Sequence, residues 1–289
     1  MKLTAKFNLV LVLVLSLGLV VTGVLSYRIL RKNAEREVLQ TAGLMMEAAL
    51  AMRSYTVAEI RPLLLPLMVD EFHPQTVPAY AATQAFDKLR EQHNDYTYKE
   101  ATLNPTNPRD RATDWETDII QEFRNFGGRD SLTGVRDTPT GQSLYMARPI
   151  KISNGACLAC HSTPEAAPAP MIAKYGRNNG FGWQLNEIVG AQIVSVPMSL
   201  PLEHARQAFL TFMGALVGVF MVIIIVLNVM LSRIIIRPIT RMAATADEVS
   251  KGNFAVAEFQ SDGADEVSTL GTSFNRMRRS LERAIGMLE

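Results

Sequence analysis

Two uninterrupted apolar runs dominate the pattern of the chain. Leu9 to Tyr27 holds 19 residues without a charge, preceded by Lys2 and Lys6, and Ala208 to Leu231 holds 24, with Asn228 as the one strongly polar member. About 20 apolar residues cross a bilayer as helix, so both runs are long enough to span. The rival for the first is a cleaved signal sequence, whose apolar core is roughly 7–15 residues and ends in a small-residue site. This run is longer and no clean A-x-A site follows, so it is read as a retained anchor. Pro201 fits a helix start near Leu202. Arg233, Arg237 and Arg241 follow the second run, which by the positive-inside rule puts the C-terminal end in the cytoplasm, and with two spans the N-terminus too. Arg28, Arg31, Lys32 and Arg36, on the outer side of the first span, fit that rule badly.

The pattern thus divides the chain into residues 1–8, a span over 9–27, a central domain over 28–207, a span over 208–231 and a tail over 232–289. The central 180 residues are enough for a core of their own. Asn33 to about Leu65 is rich in Ala, Leu, Met and Glu and predicts helix. Pro74 and Pro78 bracket a turn, Tyr80–Gln92 predicts a second helix, and Asp114–Arg124 a short one capped by Thr113 or Asp114. Ser143–Ile152 and Ile188–Val196, which carry β-branched and aromatic residues between glycines and prolines, predict strands. Helices first and antiparallel strands later make an α+β domain. In the tail, Ile235, Ile239, Met242, Ala246 and Val249 recur at steps of four and three until Gly252. Val267, Leu270, Phe274, Met277, Leu281, Ala284 and Leu288 do so again beyond the Asn253–Ala264 linker, where Val256 and Phe259 can pack on the helices. These are heptad seams of an all-α bundle. One protomer offers only two, so a four-helix bundle needs a homodimer.

Charge and composition narrow the function. Lys and Arg number 29 and Asp and Glu 28, a net charge of +1, which argues against a nucleic-acid partner bound by bulk electrostatics. The mean hydropathy of +0.08 comes from the two spans. Both cysteines lie in one pentapeptide, so no disulfide framework exists. That pentapeptide, Cys157-Leu158-Ala159-Cys160-His161, is C-x-x-C-H, the signature of covalent haem c attachment: two thiols one helical turn apart meet the two vinyl groups, and the adjacent histidine reaches the iron. A structural zinc site wants a second ligand pair, and a thioredoxin-like dithiol wants a βαβ setting; neither is present in the sequence. Such haem is attached outside the bacterial inner membrane, so the central domain is expected to be periplasmic.

One motif leaves the sixth iron ligand open. His73, between Phe72 and Pro74 in the bracketed turn, is favoured, with Met171 or Met198 as alternatives and a vacant or water-filled site as the remaining one. Met146, His93 and His204 are weaker, since methionine is mostly core filler and a lone histidine mostly an ordinary surface or core residue. Arg109 and Arg111 are candidate partners of the haem propionates, against the plainer reading that they pair with Asp110, Asp114 or Glu116. Gly176, Gly180 and Gly182 lack phosphate-loop spacing and are read as turns near the haem crevice.

The tail resembles a HAMP signal-relay domain over roughly residues 232–285: Arg237-Pro238-Ile239 after a span, Glu248 near the end of the first helix, Asp265-Glu266-Val267, and Phe274-Asn275-Arg276-Met277. Val-Ser stands where the family usually has Ile-Gly. The central domain resembles the membrane-tethered, single-haem c-type sensor family with a PAS-like core, through Tyr98–Glu116, Cys157–Pro168 and Gly180–Met198. Some relatives carry a cysteine ligand five residues before an Ala-Pro, and His73 stands five residues before Pro78 here. The resemblance implies a haem-based transducer in the inner membrane, sensing redox state or a diatomic ligand and passing the signal through a HAMP dimer to a separate output protein. No kinase, cyclase or methyl-accepting region follows, and no enzyme activity is expected. The alternative is a membrane-tethered c-type cytochrome with a periplasmic redox partner. A peroxidase comes third, for want of a distal acid–base pair.

Overall fold

The computed structural model describes residues 3–139, 141–259, 263, 265–285 and 287. Lys2, Ala264 and Leu288, named above, lie outside the described residues, as does the end of the tail. The chain forms two compact units, Tyr27–Ala208 and Met1–Ser26 with Phe209–Glu289.

The central unit is built on a four-stranded antiparallel sheet in the order β1-β4-β3-β2, from β1 (Thr97–Thr102), β2 (Leu132–Thr138), β3 (Gly141–Lys151) and β4 (Ile188–Pro197). Tyr98 pairs with Val194 and Leu144 with Val196. Because side chains alternate across a strand, Tyr98, Val194 and Val196 turn to one face, and Ala101, Ala191 and Ile193 to the other. The first face packs on α1 (Leu3–Tyr55) and α3 (Pro78–Arg90). α1 runs unbroken from the predicted span through the helical stretch expected from Asn33 and ends at Tyr55, ten residues short of the expected Leu65. It buries Ala34, Val38, Ala42, Met45, Met46 and Ala49, one stripe at helical spacing. A π-helical stretch at Thr56–Ile60 ends it, followed by the single turn α2 (Arg61–Leu64). The other face packs on α4 (Asp114–Asn125), whose start is the predicted Thr113: Glu116 accepts from the Thr113 backbone and the Thr113 side chain from the backbone at Glu116. Fully covered on both faces, β4 is buried from Val189 to Val196.

Among the short pieces of the central unit are a 3₁₀ turn at Pro74–Thr76, α5 (Leu158–His161) and α6 (Ala169–Tyr175). They share a small core of Phe72, Ala167 and Met171, with Met68, Val77, Cys160, Tyr175 and Phe181 packed against it.

α7 (Ser199–Met230) starts within the central unit, three residues before the predicted Leu202, and passes through a π-helical stretch, Leu231–Ile236, into α8 (Arg237–Ser250) of the second unit. Gly252 adopts a positive φ of 89° just past the end, the stop expected of it. α9 (Glu266–Ile285) begins where Asp265 accepts from the Ser268 backbone at 2.8 Å. No residue in the most apolar window of either helix is buried within the chain, as expected of helices long and apolar enough to cross a membrane.

Candidate functional site

His161 closes α5, one residue after Cys160, and three contacts hold its ring. Its Nδ1 lies 2.7 Å from the Gly180 carbonyl oxygen, a separation that makes Nδ1–H the donor. The indole of Trp183 stacks on it, centroids 4.0 Å apart and planes 12° apart. The Thr106 hydroxyl approaches the same Nδ1 at 3.5 Å. With Nδ1 committed to a carbonyl, Nε2 keeps its lone pair, the arrangement by which metal-binding histidines fix their tautomer. Burial lowers the imidazole pKa, with the Gly180 carbonyl opposing in part, a shift that favours the neutral, ligating form.

The loop that offers this carbonyl is shaped by glycine. Gly180 has φ +82°, and a side chain there would run into Thr106. Asn104 fastens it from the other side, accepting from the Gly180 amide at 3.2 Å and donating to the Phe181 carbonyl at 3.3 Å. Backbone bonds from Gly182 to Ser162 and from Trp183 to His161 tie the loop to the motif. The expectation of turns at these glycines holds. Thr106, Asn104 and Trp183 were not singled out as site residues, although the segments carrying the family resemblance contain all three.

Cys157 and Cys160 are free thiols, half-buried and one turn apart. Burial raises the Cys160 thiol pKa, and the charge of Arg61 opposes this. Two unpaired thiols, a neutral histidine with Nε2 uncommitted and an adjoining apolar core are a donor set that fits a covalently held haem.

The other candidates divide. Phe72, next to His73, packs in the same small core as Cys160, and so does Met171, which is 3 % exposed. His73 is half-buried and precedes the Pro74 turn, where its carbonyl accepts from Thr76. Met198 instead sits in the core between α1 and the sheet, and Met146 packs against that same core. The structure does not bring either to the motif, because their side chains are spent on the main core. His93 and His204 are exposed. Arg109 pairs with Asp110 at 3.3 Å, as the plainer reading had it, and approaches Asp87 at 4.0 Å. Arg111 reaches neither Asp114 nor Glu116, whose partner is Lys99. It donates instead to Asn179 at 3.4 Å, beside the Gly180 turn.

Between α1 and β1 lies a polar cluster that the sequence did not announce. Arg53 of α1 forms an ion pair with the buried Glu100, Tyr98 donates to Glu100 at 2.7 Å, and Gln192 donates to Tyr98 at 3.3 Å. Burial and the neighbouring carboxylate push the Tyr98 hydroxyl far above its ordinary pKa. The cluster ties the last turns of α1 to the edge strand β1 and, through Gln192, to β4.

The profile of the Tll0287-like family matches residues 31–197, and that of the HAMP domain matches residues 230–283. Sensor histidine kinase WalK of Bacillus subtilis (strain 168) is 33% identical over 103 residues, which are 36% of this chain and 16% of the kinase; the chain therefore spans a small part of that relative's length. Among solved structures, the crystal structure of the cyanobacterial heme-protein Tll0287 is similar at 17% identity and a TM-score of 0.43, covering 56% of this chain and 95% of that one.

Proposed function

The chain belongs to the Tll0287-like family and carries a HAMP domain after it, and from that premise we propose that it is a transmembrane signal transducer whose sensor is one covalent haem c on the central unit. The HAMP domain, the two apolar helices and the stretch shared with a sensor histidine kinase support transmembrane signalling. The observation that carries the haem reading is the commitment of His161 Nδ1 to the Gly180 carbonyl beside two unpaired thiols. Cys157 and Cys160 would hold the porphyrin edge as thioethers and His161 the iron. His73 is the proposed sixth ligand, with Met171 as the alternative in the same core. Of the two arginines, Arg111 is the better propionate partner, because Arg109 is already engaged by carboxylates.

Bound there, the haem supplies an iron whose charge and ligation change with redox state or with a diatomic ligand. The protein's part is to keep the imidazole oriented, through Trp183 and Gly180, and to pass any displacement onward. The route is short: Met198 alone separates β4 from α7, and its amide donates to the Gln142 carbonyl at 2.8 Å. On the other side the Arg53–Glu100 pair links the sheet to α1. Coupling of about 1–3 kcal/mol between sites is typical and would bias the packing of a HAMP homodimer toward one of two states. The central unit is proposed to lie in the periplasm and both termini in the cytoplasm, where a separate output protein docks on the bundle.

The test uses the full chain in membranes, with cysteines introduced at Ile239 or Leu270. Ferric, ferrous and CO-treated ferrous samples should give different cross-linking between protomers. Identical cross-linking in every state sinks the transducer and leaves a tethered electron carrier. The absorption spectra are a separate control: a prompt change with CO indicates a labile sixth site, and a spectrum indifferent to CO indicates two firm ligands.

A further inference from the structure

The basic residues just past the first span contradict the charge rule that the second span obeys, and the haem site makes no use of them. Arg28, Lys32 and Arg36 recur every four residues on α1, so they form one stripe along the helix. All three are exposed, and among the described residues no carboxylate pairs with them. Arg31, the fourth cation of the group, is engaged by Glu35 at 3.2 Å. The stripe opens on a cleft of about 290 Å³, with Lys32, Arg36 and Leu39 on the α1 side and Gly134, Val135 and Leu144 on the sheet side. Glu35 also lines it, its carboxylate turned to Arg31. The cleft is thus apolar in its walls and cationic along one edge.

Its distance from the bilayer follows from helix geometry. With a rise of about 1.5 Å per residue from Tyr27, Lys32 stands about 7 Å and Arg36 about 13 Å beyond the apolar run. The headgroup layer is about 5–7 Å thick on each side of the hydrocarbon. Arg28 and Lys32 therefore lie within it or at its edge, and Arg36 can bend its long stem back toward it. Unpaired cations at this depth are attracted to anionic lipid, by an amount comparable to a several-fold gain in binding for each.

We propose that the Arg28–Lys32–Arg36 stripe and the cleft beside it bind the phosphodiester headgroup of an anionic phospholipid, in the leaflet facing the central unit. The phosphate sits between Lys32 and Arg36, whose long side chains reach back toward the headgroup layer, and the rest of the headgroup lies at the mouth of the cleft. This rests on residues 9–27 spanning the membrane and is independent of the haem reading.

The full-length protein is reconstituted in bilayers of equimolar phosphatidylcholine and phosphatidylglycerol, extracted gently, and its retained lipid is quantified by mass spectrometry. Wild type should retain phosphatidylglycerol in excess. The triple variant Arg28→Gln, Lys32→Gln, Arg36→Gln should lose roughly tenfold or more of that excess. The charge-preserving pair Arg28→Lys and Arg36→Lys should keep most of it, and Arg90→Gln with Lys151→Gln, removing exposed cations elsewhere, should keep all. Equal retention of the two lipids by wild type, or the same excess in the triple variant, overturns the proposal. Displacement of the lipid by millimolar inorganic phosphate also overturns it, in favour of a free-anion site. Carbonate extraction and the haem absorption band, read on the same samples, report separately on the span and on the haem.

Discussion

The two compact units bury their apolar residues in opposite ways. In the central unit both faces of the sheet are covered by helices of the same chain, and β4 is buried almost end to end. In the C-terminal unit the described helices α8 and α9 bury only Met242, Val249, Gly271, Asn275 and Arg278. The seam residues Ile239, Leu270 and Met277 remain 42%, 53% and 52% exposed. A heptad seam left in water forfeits the burial that makes it worth forming, about 25 cal/mol for each Å². The central fold is therefore closed within one chain, whereas the described tail helices leave their seam open, the surface that the proposed second copy would cover. The difference suits a relay: a core closed within one chain resists change, and an interface between chains has alternative packings available.

The largest expected effect would break the sensing half of this contrast outright. Replacing Cys157 and Cys160 together by Ala should abolish covalent haem, read as complete loss of haem staining on a denaturing gel. Haem that stays attached would overturn the assignment of the motif. The next tests how firmly the central unit is closed. Arg53→Met leaves Glu100, only 4% exposed, without its cation, and removing one member of a buried pair costs about 3–5 kcal/mol. Since Arg53 is itself about a quarter exposed, about 2–3 kcal/mol is expected here, seen as a lower denaturant midpoint for the central unit. Adding Glu100→Gln to Arg53→Met should recover most of that loss, because no unpaired charge is then buried. A double variant as unstable as the single would mean the pair works through packing alone.

Where the sequence was legible, local physics decided the outcome. Thr113 and Glu116 form a capping box within four residues, and α4 starts there. β4 carries its β-branched run openly, and β3 shows a shorter apolar stretch, Leu144 to Ala147. β1 was missed because Lys99 and Glu100 in Thr97–Thr102 spoil an apolar alternation. Both are tolerated through partners far along the chain, Glu116 for Lys99 and Arg53 for Glu100. β2, with Gly134, Arg136 and Asp137, is an edge strand that alternates half-buried and exposed positions and has no strong apolar signal of its own. At the site the motif was plain, but its support was not. That Gly180 accepts from His161, and that Met198 is spent on the α1 core while Met171 lies by the motif, are facts of tertiary packing.

A smaller effect sharpens the role of that support. Gly180→Ala places a side chain at a φ of +82° and against Thr106, so the turn must shift and carry its carbonyl away from His161. A non-glycine residue in the left-handed region costs about 1–2 kcal/mol. The diagnostic readout is the haem reduction potential: it should move in Gly180→Ala, because the hydrogen bond to Nδ1 tunes the imidazole as a donor. It should not move in Gly128→Ala, which also carries a positive φ, +111°, but has open space at its Cβ. Equal potentials in both variants would reduce the Gly180 contact to a structural one.

The smallest effect addresses what the relay does hold within one chain. The segment between α8 and α9 is fastened by α9 side chains. Asn275 accepts from the Phe259 amide at 3.0 Å and donates to the Phe259 carbonyl at 2.7 Å, and Arg278 donates to the carbonyls of Phe254 and Val256. Gly271 leaves the space in which the Phe259 ring lies. Asn275→Ala removes both bonds to Phe259, and at about 0.5–1.5 kcal/mol for each hydrogen bond the segment should loosen without unfolding. Amide hydrogen exchange over residues 254–259 should then rise several-fold, with exchange in β4 unchanged. Faster exchange in β4 as well would mean that the two units are coupled in stability, and the contrast between a closed sensor and an open relay would fail.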